Sequence, residues 1–192
     1  MRVIDYYLSP SSPWTYLGHA RLAEIASRHG AAINVKPVDY AVIFPVSGGL
    51  PLGKRAPQRQ AYRLAELARW REHLRLPLVI EPKFFPVDGT QGAHLICGAS
   101  AKKRMAVAGD LLAAVWEREE SVSDAGTLAT IAARHGIADI GTALEAGKAV
   151  YAANTQEALA RAVFGAPTYA YKDELFWGQD RLDFLERALA LG

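Results

Sequence analysis

The sequence has little cysteine and little net charge, which argues against thiol-based redox or metal sites and against nucleic-acid binding. Cys97 is the only cysteine among 192 residues, which excludes an internal disulfide, a two-cysteine redox motif and a cysteine-based metal site. The 22 Lys and Arg against 20 Asp and Glu leave a formal net charge of +2. Because nucleic-acid binding usually requires a concentrated basic face, we expect no nucleic-acid partner.

Long apolar runs and histidine clusters are also missing. Nothing approaches the roughly 18 apolar residues of a membrane span, and the opening residues Met1–Asp5 show no signal-peptide pattern. The five histidines form no HxxxH motif and no cluster with acidic residues, so we expect no metal site. Hydrophobic residues make up 51% of the chain, which is ordinary for a globular protein. The sequence therefore predicts a cytoplasmic protein without membrane association.

The first forty residues read as a strand, a helix and a second strand. Residues 3–8 form a β-type run that ends at the breaker cluster 9–13. Ser12 suits the N-cap of the following helix, and Pro13 suits its first position, where a missing N–H costs nothing. The helix ends at His29-Gly30, and residues 33–37 form the second strand. This order predicts a parallel pair with a right-handed crossover.

The middle of the chain reads as helical. Ala41 to Leu52 is apolar but interrupted by Pro and paired Gly, which predicts a loop over a pocket. Periodicity and boundary residues predict helices over 57–73, 90–101, 106–117, 126–135 and 140–148. The pattern Asn154-Thr-Gln-Glu157 is typical of a capping box and predicts a further helix start.

The C-terminal segment returns to β structure. Residues 168–171 and 174–177 predict a hairpin, and Asp180 is the expected N-cap of the last helix. The fold class is therefore α/β, with a four-stranded mixed sheet and flanking helices. We expect residues 1–40 and 151–192 to form the sheet domain, and residues 41–150 to form an all-helical insertion.

Three motifs in chain order carry a family resemblance. Residues 11–17 (SSPWTYL) resemble the active-site signature of 2-hydroxychromene-2-carboxylate isomerases, relatives of kappa-class glutathione transferases and of DsbA-type oxidoreductases. Residues 163–168 (VFGAPT) and 176–182 (FWGQDRL) match the same family. The resemblance implies a thioredoxin-like fold, glutathione as cofactor and a homodimer.

The resemblance assigns roles around the first helix. Ser12 and Thr15 occupy the two positions at which the related oxidoreductases carry cysteine, so disulfide exchange is not expected. The electropositive start of the helix can still stabilise a thiolate, which a ligand would then have to supply. Ser12 is the implied catalytic residue that holds the glutathione thiol. Ala166-Pro167 resembles a cis-proline turn that pairs with the cofactor backbone. Trp177, Gly178, Gln179 and Asp180 would hold the γ-glutamyl end. The alternatives are that Ser12 and Asp180 are only helix caps, and that the proline turn is trans.

Candidate residues for the second substrate are basic. Lys54 and Arg55 lie on the Gly-rich loop, where one could bind a substrate carboxylate, and Arg59 lies near a position where relatives carry a basic residue. A solvated helix face is the alternative for Arg59. Relatives usually carry Asn where this chain has Asp88, in a region expected to face the second substrate. The resemblance therefore predicts the cofactor site more firmly than it predicts the substrate.

The function that the resemblance implies is a glutathione-dependent cis-trans isomerase. It would convert 2-hydroxychromene-2-carboxylate-like aromatic substrates to trans-o-hydroxybenzylidenepyruvate-like products in aromatic degradation. Two alternatives remain open at this point. One is a kappa-class-like glutathione transferase or peroxidase, and the other is a non-catalytic glutathione-binding domain.

Overall fold

The computed structural model describes all 192 residues and contains a single four-stranded sheet. The strands are β1 (Val3–Leu8), β2 (Ala32–Pro37), β3 (Thr168–Tyr171) and β4 (Glu174–Trp177). Their order is β2-β1-β3-β4, with β1 and β2 parallel and the other pairs antiparallel. The predicted fold class, a mixed four-stranded α/β sheet, is confirmed.

Eight α-helices and two short 3₁₀ turns surround the sheet. Six of the helices lie between β2 and β3 in the chain. The helices are α1 (Pro13–Arg28), α2 (Tyr40–Ser47), α3 (Pro57–Leu74), α4 (Thr90–Gly98), α5 (Ala101–Trp116), α6 (Ala125–Arg134), α7 (Ile140–Ala160) and α8 (Leu182–Leu191), and the 3₁₀ turns are Leu52–Lys54 and Gln179–Arg181.

The strand register determines which loops meet. Leu8 pairs with Pro37, Tyr7 pairs with Thr168, and Thr168 pairs with Trp177. The end of β1, the start of β3 and the end of β4 therefore lie together at what we call the Leu8 end of the sheet. The turns that follow β1 and β4 and the turn that precedes β3 all lie at this end.

One core joins the sheet to the insertion. Tyr6 and Leu8 of β1 belong to the same buried cluster of 32 residues as Leu111 and Trp116 of α5. Helix α7 also passes without a break through residue 150, the expected boundary of the insertion. The division into residues 1–40 with 151–192 and residues 41–150 therefore stays a proposal about chain organisation.

The loop that the sequence predicts over residues 41–52 is wrong for residues 41–47, which are helical. Helix α2 begins at the N-cap Asp39, whose Oδ1 accepts the N–H of Ala41 over 2.8 Å, and it ends at Gly48 in the left-handed region, φ 76°. Pro45 lies inside this short helix.

The helix start predicted at Asn154 is also wrong, because α7 is continuous there. Asn154 is buried, and its Nδ2 donates to the carbonyl of Pro37 over 3.2 Å. Thr155 Oγ1 donates to the carbonyl of Tyr151 one turn earlier, over 2.8 Å. Both side chains donate hydrogen bonds to backbone carbonyls, and neither caps a helix start.

Asp180 does not cap the last helix. It lies inside the 3₁₀ turn Gln179–Arg181, and α8 begins only at Leu182 with no side-chain cap. The 3₁₀ turn moves the N-cap by one residue, to Arg181, so the predicted N-cap at Asp180 is wrong. The helix that follows β4 is present, as predicted.

Candidate functional site

The turn from β1 into α1 lies at the Leu8 end of the sheet and presents Ser12. The Ser12 N–H donates to the carbonyl of Ser9 over 3.1 Å, and Ser12 Oγ accepts the N–H of Thr15 over 3.3 Å, as an N-cap does. Pro13 follows at the first helical position. The hydroxyl of Ser12 therefore lies at the electropositive start of a 16-residue helix, and its proton has no acceptor within the chain.

Thr15 lies in the first turn of α1, three residues after Ser12. It is fully buried, and its Oγ1 has no hydrogen-bond partner. Ser12, in contrast, is only half-buried. Of the two hydroxyls, the one at Ser12 is therefore open to a ligand, and the one at Thr15 is closed.

The turn before β3 contains the predicted proline turn. The Ala166–Pro167 peptide bond is cis, as the sequence predicts. The carbonyl of Gly165 accepts the hydroxyls of Tyr40 and Thr168, over 2.9 and 2.6 Å, and these bonds fix the turn against α2 and β3. No hydrogen bond within the chain uses the backbone N–H or C=O of Ala166. Both groups are free to pair with the backbone of an extended ligand.

The turn after β4 lies against the proline turn. The Gly178 N–H donates to the carbonyl of Pro167 over 2.9 Å, with Gly178 at φ 102°, a conformation that favours glycine. Trp177 is half-exposed, and its ring packs on Phe164 at a centroid distance of 4.7 Å. The carboxylate of Asp180 is exposed and lies 3.3 Å from the guanidinium of Arg181.

Gln179 faces the protein rather than solvent. It is 2% exposed, and its Oε1 accepts Arg21 Nη1 over 2.8 Å. Its Cβ lies so close to Gly18 of α1 that a side chain at Gly18 would collide with it. The Gln179 side chain is therefore closed to a ligand, and only its backbone is available. The contact with Gly18 also places the turn containing Asp180 on the α1 side of the sheet.

The insertion covers the Ser12 turn from the other side. Gly89, just before α4, lies so close to Pro10 and Ser11 that an added Cβ would come within 3.0 Å of Pro10 Cγ. Asp88 accepts both the N–H and the hydroxyl of Thr90, over 2.9 and 2.6 Å, and these bonds hold its pKa below the usual range. Asp88 thus orders the start of α4.

The structure brings the three predicted cofactor segments together. Ser12, the Ala166–Pro167 turn and the Trp177–Asp180 turn all lie at the Leu8 end of the sheet. The three basic candidates lie just before α3 and on its first turn. Lys54 and Arg59 are exposed, and Arg55 Nε donates to the carbonyl of Leu50 over 2.8 Å.

Sequence reasoning missed Arg63, one helical turn after Arg59. Its side chain is 9% exposed, and its guanidinium lies over the ring of Phe85 at 5.0 Å. The spacing of four residues from Arg59 was the available signal, since positions i and i+4 share a helix face. A buried arginine is unusual enough to require a reason.

Two hydrophilic groups of the insertion also escaped prediction. His94 on α4 lies edge-on to the ring of Tyr151 on α7, at a centroid distance of 5.3 Å. Burial, and next the charge of Lys148, lower the pKa of His94, while burial and the charge of Asp39 raise the pKa of Tyr151. Both groups are therefore neutral at pH 7.

Other features of the surface lie elsewhere. A shallow hollow of about 570 Å³ is at the opposite end of the sheet, lined by residues that include Arg2, Gly30 and Lys172. The structure has no group of three or more His, Cys, Asp or Glu side chains placed to hold a metal ion. None of its helices combines the length and the apolar character needed to cross a membrane.

Comparison with known proteins finds similarity over nearly the whole chain. The family model of the DSBA-like thioredoxin domain matches residues 3–190. The 2-hydroxychromene-2-carboxylate isomerase of Sphingobium xenophagum is 29% identical over 194 residues, which cover 98% of this chain and 98% of that protein. The enzyme of the same name from Pseudomonas putida is 28% identical over 193 residues, covering 97% and 94%.

A solved structure is similar over the same length. The structure of a 2-hydroxychromene-2-carboxylate isomerase superimposes with a TM-score of 0.85 at 26% sequence identity, covering 98% of this chain and 94% of that chain. The similarity therefore includes both the sheet and the helical insertion.

Proposed function

The chain belongs to the family of DSBA-like thioredoxin domains, and on that premise we propose that it is a glutathione-dependent isomerase. The proposed substrates are 2-hydroxychromene-2-carboxylate-like aromatic acids, because relatives of that name match nearly the whole chain. One observation supports the proposal most strongly. The hydroxyl of Ser12 lies at a helix start, where related oxidoreductases carry a redox cysteine, and it donates no hydrogen bond within the chain.

The environment of Ser12 suits a thiolate. A free thiol has a pKa of roughly 8.5. A helix N-terminus stabilises an anion by about 0.3–1 kcal/mol, and by up to ~2 kcal/mol when partly buried. A hydroxyl that donates to a charged group adds about 1.5–3 kcal/mol. Since ~1.36 kcal/mol is one pKa unit, the two effects lower the thiol pKa by roughly two units and leave it mostly ionised at neutral pH.

The residues at the Leu8 end fit the rest of glutathione. The free N–H and C=O of Ala166 would pair with the cysteinyl backbone, as an added strand does. The exposed carboxylate of Asp180 would accept the γ-glutamyl ammonium, and the N–H groups at the start of the 3₁₀ turn would hold its carboxylate. Trp177 and Gly178 would line the same end, and Gln179 would position this turn through Arg21.

When bound, glutathione would supply a nucleophilic thiolate for reversible addition to the conjugated substrate, the chemistry that permits isomerisation without consuming the cofactor. Ser12 would hold that thiolate in its ionised form. Gly89 and its neighbours cover the turn, so they would limit the access of water to the same atoms. Lys54, Arg55 and Arg59 would bind the acidic substrate. The active form would be a homodimer in the cytoplasm, in a route of aromatic degradation.

One experiment tests this proposal against its alternatives. Turnover of 2-hydroxychromene-2-carboxylate is measured with and without glutathione, and total free glutathione is measured before and after. We expect turnover only with glutathione and no consumption of it. A transferase or peroxidase would consume glutathione, and a non-catalytic binding domain would bind it without turning over any electrophile. Either result would refute the isomerase proposal.

A further inference from the structure

A histidine and a tyrosine of the insertion form a ring pair that the proposed mechanism does not use. His94 of α4 and Tyr151 of α7 are both half-buried, and their rings meet edge to face at a centroid distance of 5.3 Å. Nδ1 of His94 is buried without a hydrogen-bond partner. The hydroxyl of Tyr151 also has no partner in the chain, and it is not sealed from solvent. Its hydrogen bonds are therefore available to a ligand.

Close packing of α4 on α7 holds the two rings in place. A Cβ added at Gly147 of α7 would collide with the carbonyl of His94, and one added at Gly98 of α4 would collide with the carbonyl of Ala143. The backbones of the two helices are therefore in direct contact, which only glycine permits. The pair lies on a rigid frame rather than on a loop.

One neighbour of Tyr151 is the segment that holds the proline turn. Thr155, one turn later on α7, donates its hydroxyl to the carbonyl of Tyr151 over 2.8 Å and accepts the N–H of Asp39 over 3.0 Å. The next residue, Tyr40, donates to the carbonyl of Gly165 over 2.9 Å. Burial, and next the nearby Tyr151, raise the pKa of Tyr40. Tyr151 therefore lies near the Leu8 end of the sheet.

The other neighbour of Tyr151 is the segment that covers the Ser12 turn. Burial raises the pKa of Tyr151 most, and the charge of Asp88 adds to that shift. The residue after Asp88 is Gly89, which packs on Pro10. Tyr151 thus lies between the segment that holds the proline turn and the segment that covers the Ser12 turn.

The charges around the pair favour an uncharged oxygen over a carboxylate. The carboxylates of Asp39 and Asp88 are both close enough to raise the pKa of Tyr151, so they would repel an anion placed there. A neutral tyrosine and a neutral histidine can each donate or accept a hydrogen bond. The basic residues proposed to bind the acidic substrate lie elsewhere, just before α3 and on its first turn.

We propose that Tyr151, together with His94, binds the oxygen attached to the aromatic ring of the substrate and sets a preference for an ortho-oxygen substituent. The inference rests on the proposed function. In the cyclic form of the substrate this oxygen can only accept a hydrogen bond, which Tyr151 donates. In the open form it is a phenol, whose proton the neutral His94 accepts. The substrate then lies with its carboxylate toward α3 and its ring oxygen toward α7.

The test uses the full-length protein and Tyr151→Phe, which removes a single oxygen atom. The matched control is Tyr171→Phe, at the opposite end of β3. Calorimetry measures binding of trans-2-hydroxycinnamate and of trans-cinnamate, two aromatic carboxylates that differ only in the ortho-hydroxyl group. It also measures binding of glutathione. Steady-state kinetics give kcat and the KM for 2-hydroxychromene-2-carboxylate at saturating glutathione.

We expect the wild type and Tyr171→Phe to bind trans-2-hydroxycinnamate about 5-fold more tightly than trans-cinnamate, as one hydrogen bond would provide. Tyr151→Phe should bind the two compounds equally, since the hydroxyl that recognises the ortho group is gone. Its KM for 2-hydroxychromene-2-carboxylate should rise by about 5-fold, with kcat and the affinity for glutathione nearly unchanged. A merely structural role of Tyr151 would not remove the preference between the two cinnamates.

The inference is overturned if the wild type binds the two cinnamates equally or binds neither, or if folded Tyr151→Phe keeps the preference. Should the wild type show no turnover with glutathione, the isomerase proposal fails, and a preference that depends on Tyr151 still supports the site. If Tyr151→Phe does not fold, His94→Phe takes its place, because it keeps a ring beside Tyr151 and removes both ring nitrogens. That variant must then reduce the preference, and an unchanged preference would overturn the inference.

Discussion

The N–H of Gly178 donates to the carbonyl of Pro167 over 2.9 Å, and this bond joins the turn after β4 to the turn before β3. The two turns come from the second and third sequence motifs, and the bond places Asp180 at the same end of the sheet as Ala166. A ligand that pairs with Ala166 therefore lies at the end of the sheet that also holds Asp180.

Replacing Gly178 should disturb this connection. At φ 102° an alanine is strained by about 1–3 kcal/mol, and its Cβ would overlap Asp180 Oδ1. We expect Gly178→Ala to raise the KM for glutathione by about 10-fold and to lower the melting temperature by several degrees. Gly53→Ala is the control, since an added Cβ there meets nothing within 4 Å. Equal effects of the two changes would contradict the role given to the Gly178 turn.

Asp180→Asn tests the assignment of the γ-glutamyl end. The substitution keeps the shape of the side chain and removes the charge that would pair with the ammonium group. We expect glutathione affinity to fall by about 10-fold, with little change in kcat at saturation. Asp173→Asn, on the exposed β3–β4 connection, is the matched control. Unchanged affinity in Asp180→Asn would remove Asp180 from the site.

Cys97 should be chemically silent. It is 1% exposed, and burial raises the pKa of its thiol to about 12, so almost no thiolate exists at pH 7. We expect no reaction with a thiol reagent in the native protein, one reacting thiol after unfolding, and full activity in a folded Cys97→Ser variant. Loss of activity without loss of folding would mean that Cys97 takes part in the chemistry.

His19 should make stability depend on pH. Its Nε2 lies 3.0 Å from the carbonyl of Met105, and its Nδ1 lies 3.3 Å from the hydroxyl of Tyr6, so Nε2 carries the proton and Nδ1 accepts. Burial lowers the pKa of His19 to about 4. The unfolded chain, with a histidine pKa of roughly 6.5, then binds more protons than the folded chain between these values.

The free energy of unfolding should therefore fall as the pH drops from about 6.5 to about 4, by up to ~1.4 kcal/mol per pH unit from this one group. Denaturant unfolding of wild type and His19→Gln at pH 7 and pH 5 measures the contribution. We expect the variant to lose less stability between the two pH values. His73→Gln, at an exposed position of α3, should behave as the wild type. The same pH dependence in His19→Gln and wild type would refute the assignment.

The parts of the fold with local signals were predictable from the sequence. The Ser12-Pro13 start of α1 and the β3–β4 hairpin follow from short-range rules, and the structure has both. The wrong helix starts lie where tertiary contacts determine the local structure. Asn154 donates to the carbonyl of Pro37 in β2, and the 3₁₀ turn that contains Asp180 packs on α1. The spacing of four residues from Arg59 could have pointed to Arg63, but no sequence pattern shows that its guanidinium lies over two aromatic rings without an acidic neighbour.

The central claim is that Ser12 holds the glutathione thiol as a thiolate, and titration of bound glutathione tests it most directly. The ultraviolet absorbance of the thiolate is followed against pH for the wild type, Ser12→Ala and the control Thr15→Val, whose lost hydroxyl has no partner in the structure. We expect an apparent pKa of roughly 6.5 in the wild type and in Thr15→Val. Ser12→Ala should titrate at least one unit higher and turn over at least ~10-fold more slowly. A bound thiol that titrates near ~8.5 in the wild type, or at the same pH in wild type and Ser12→Ala, would contradict the account.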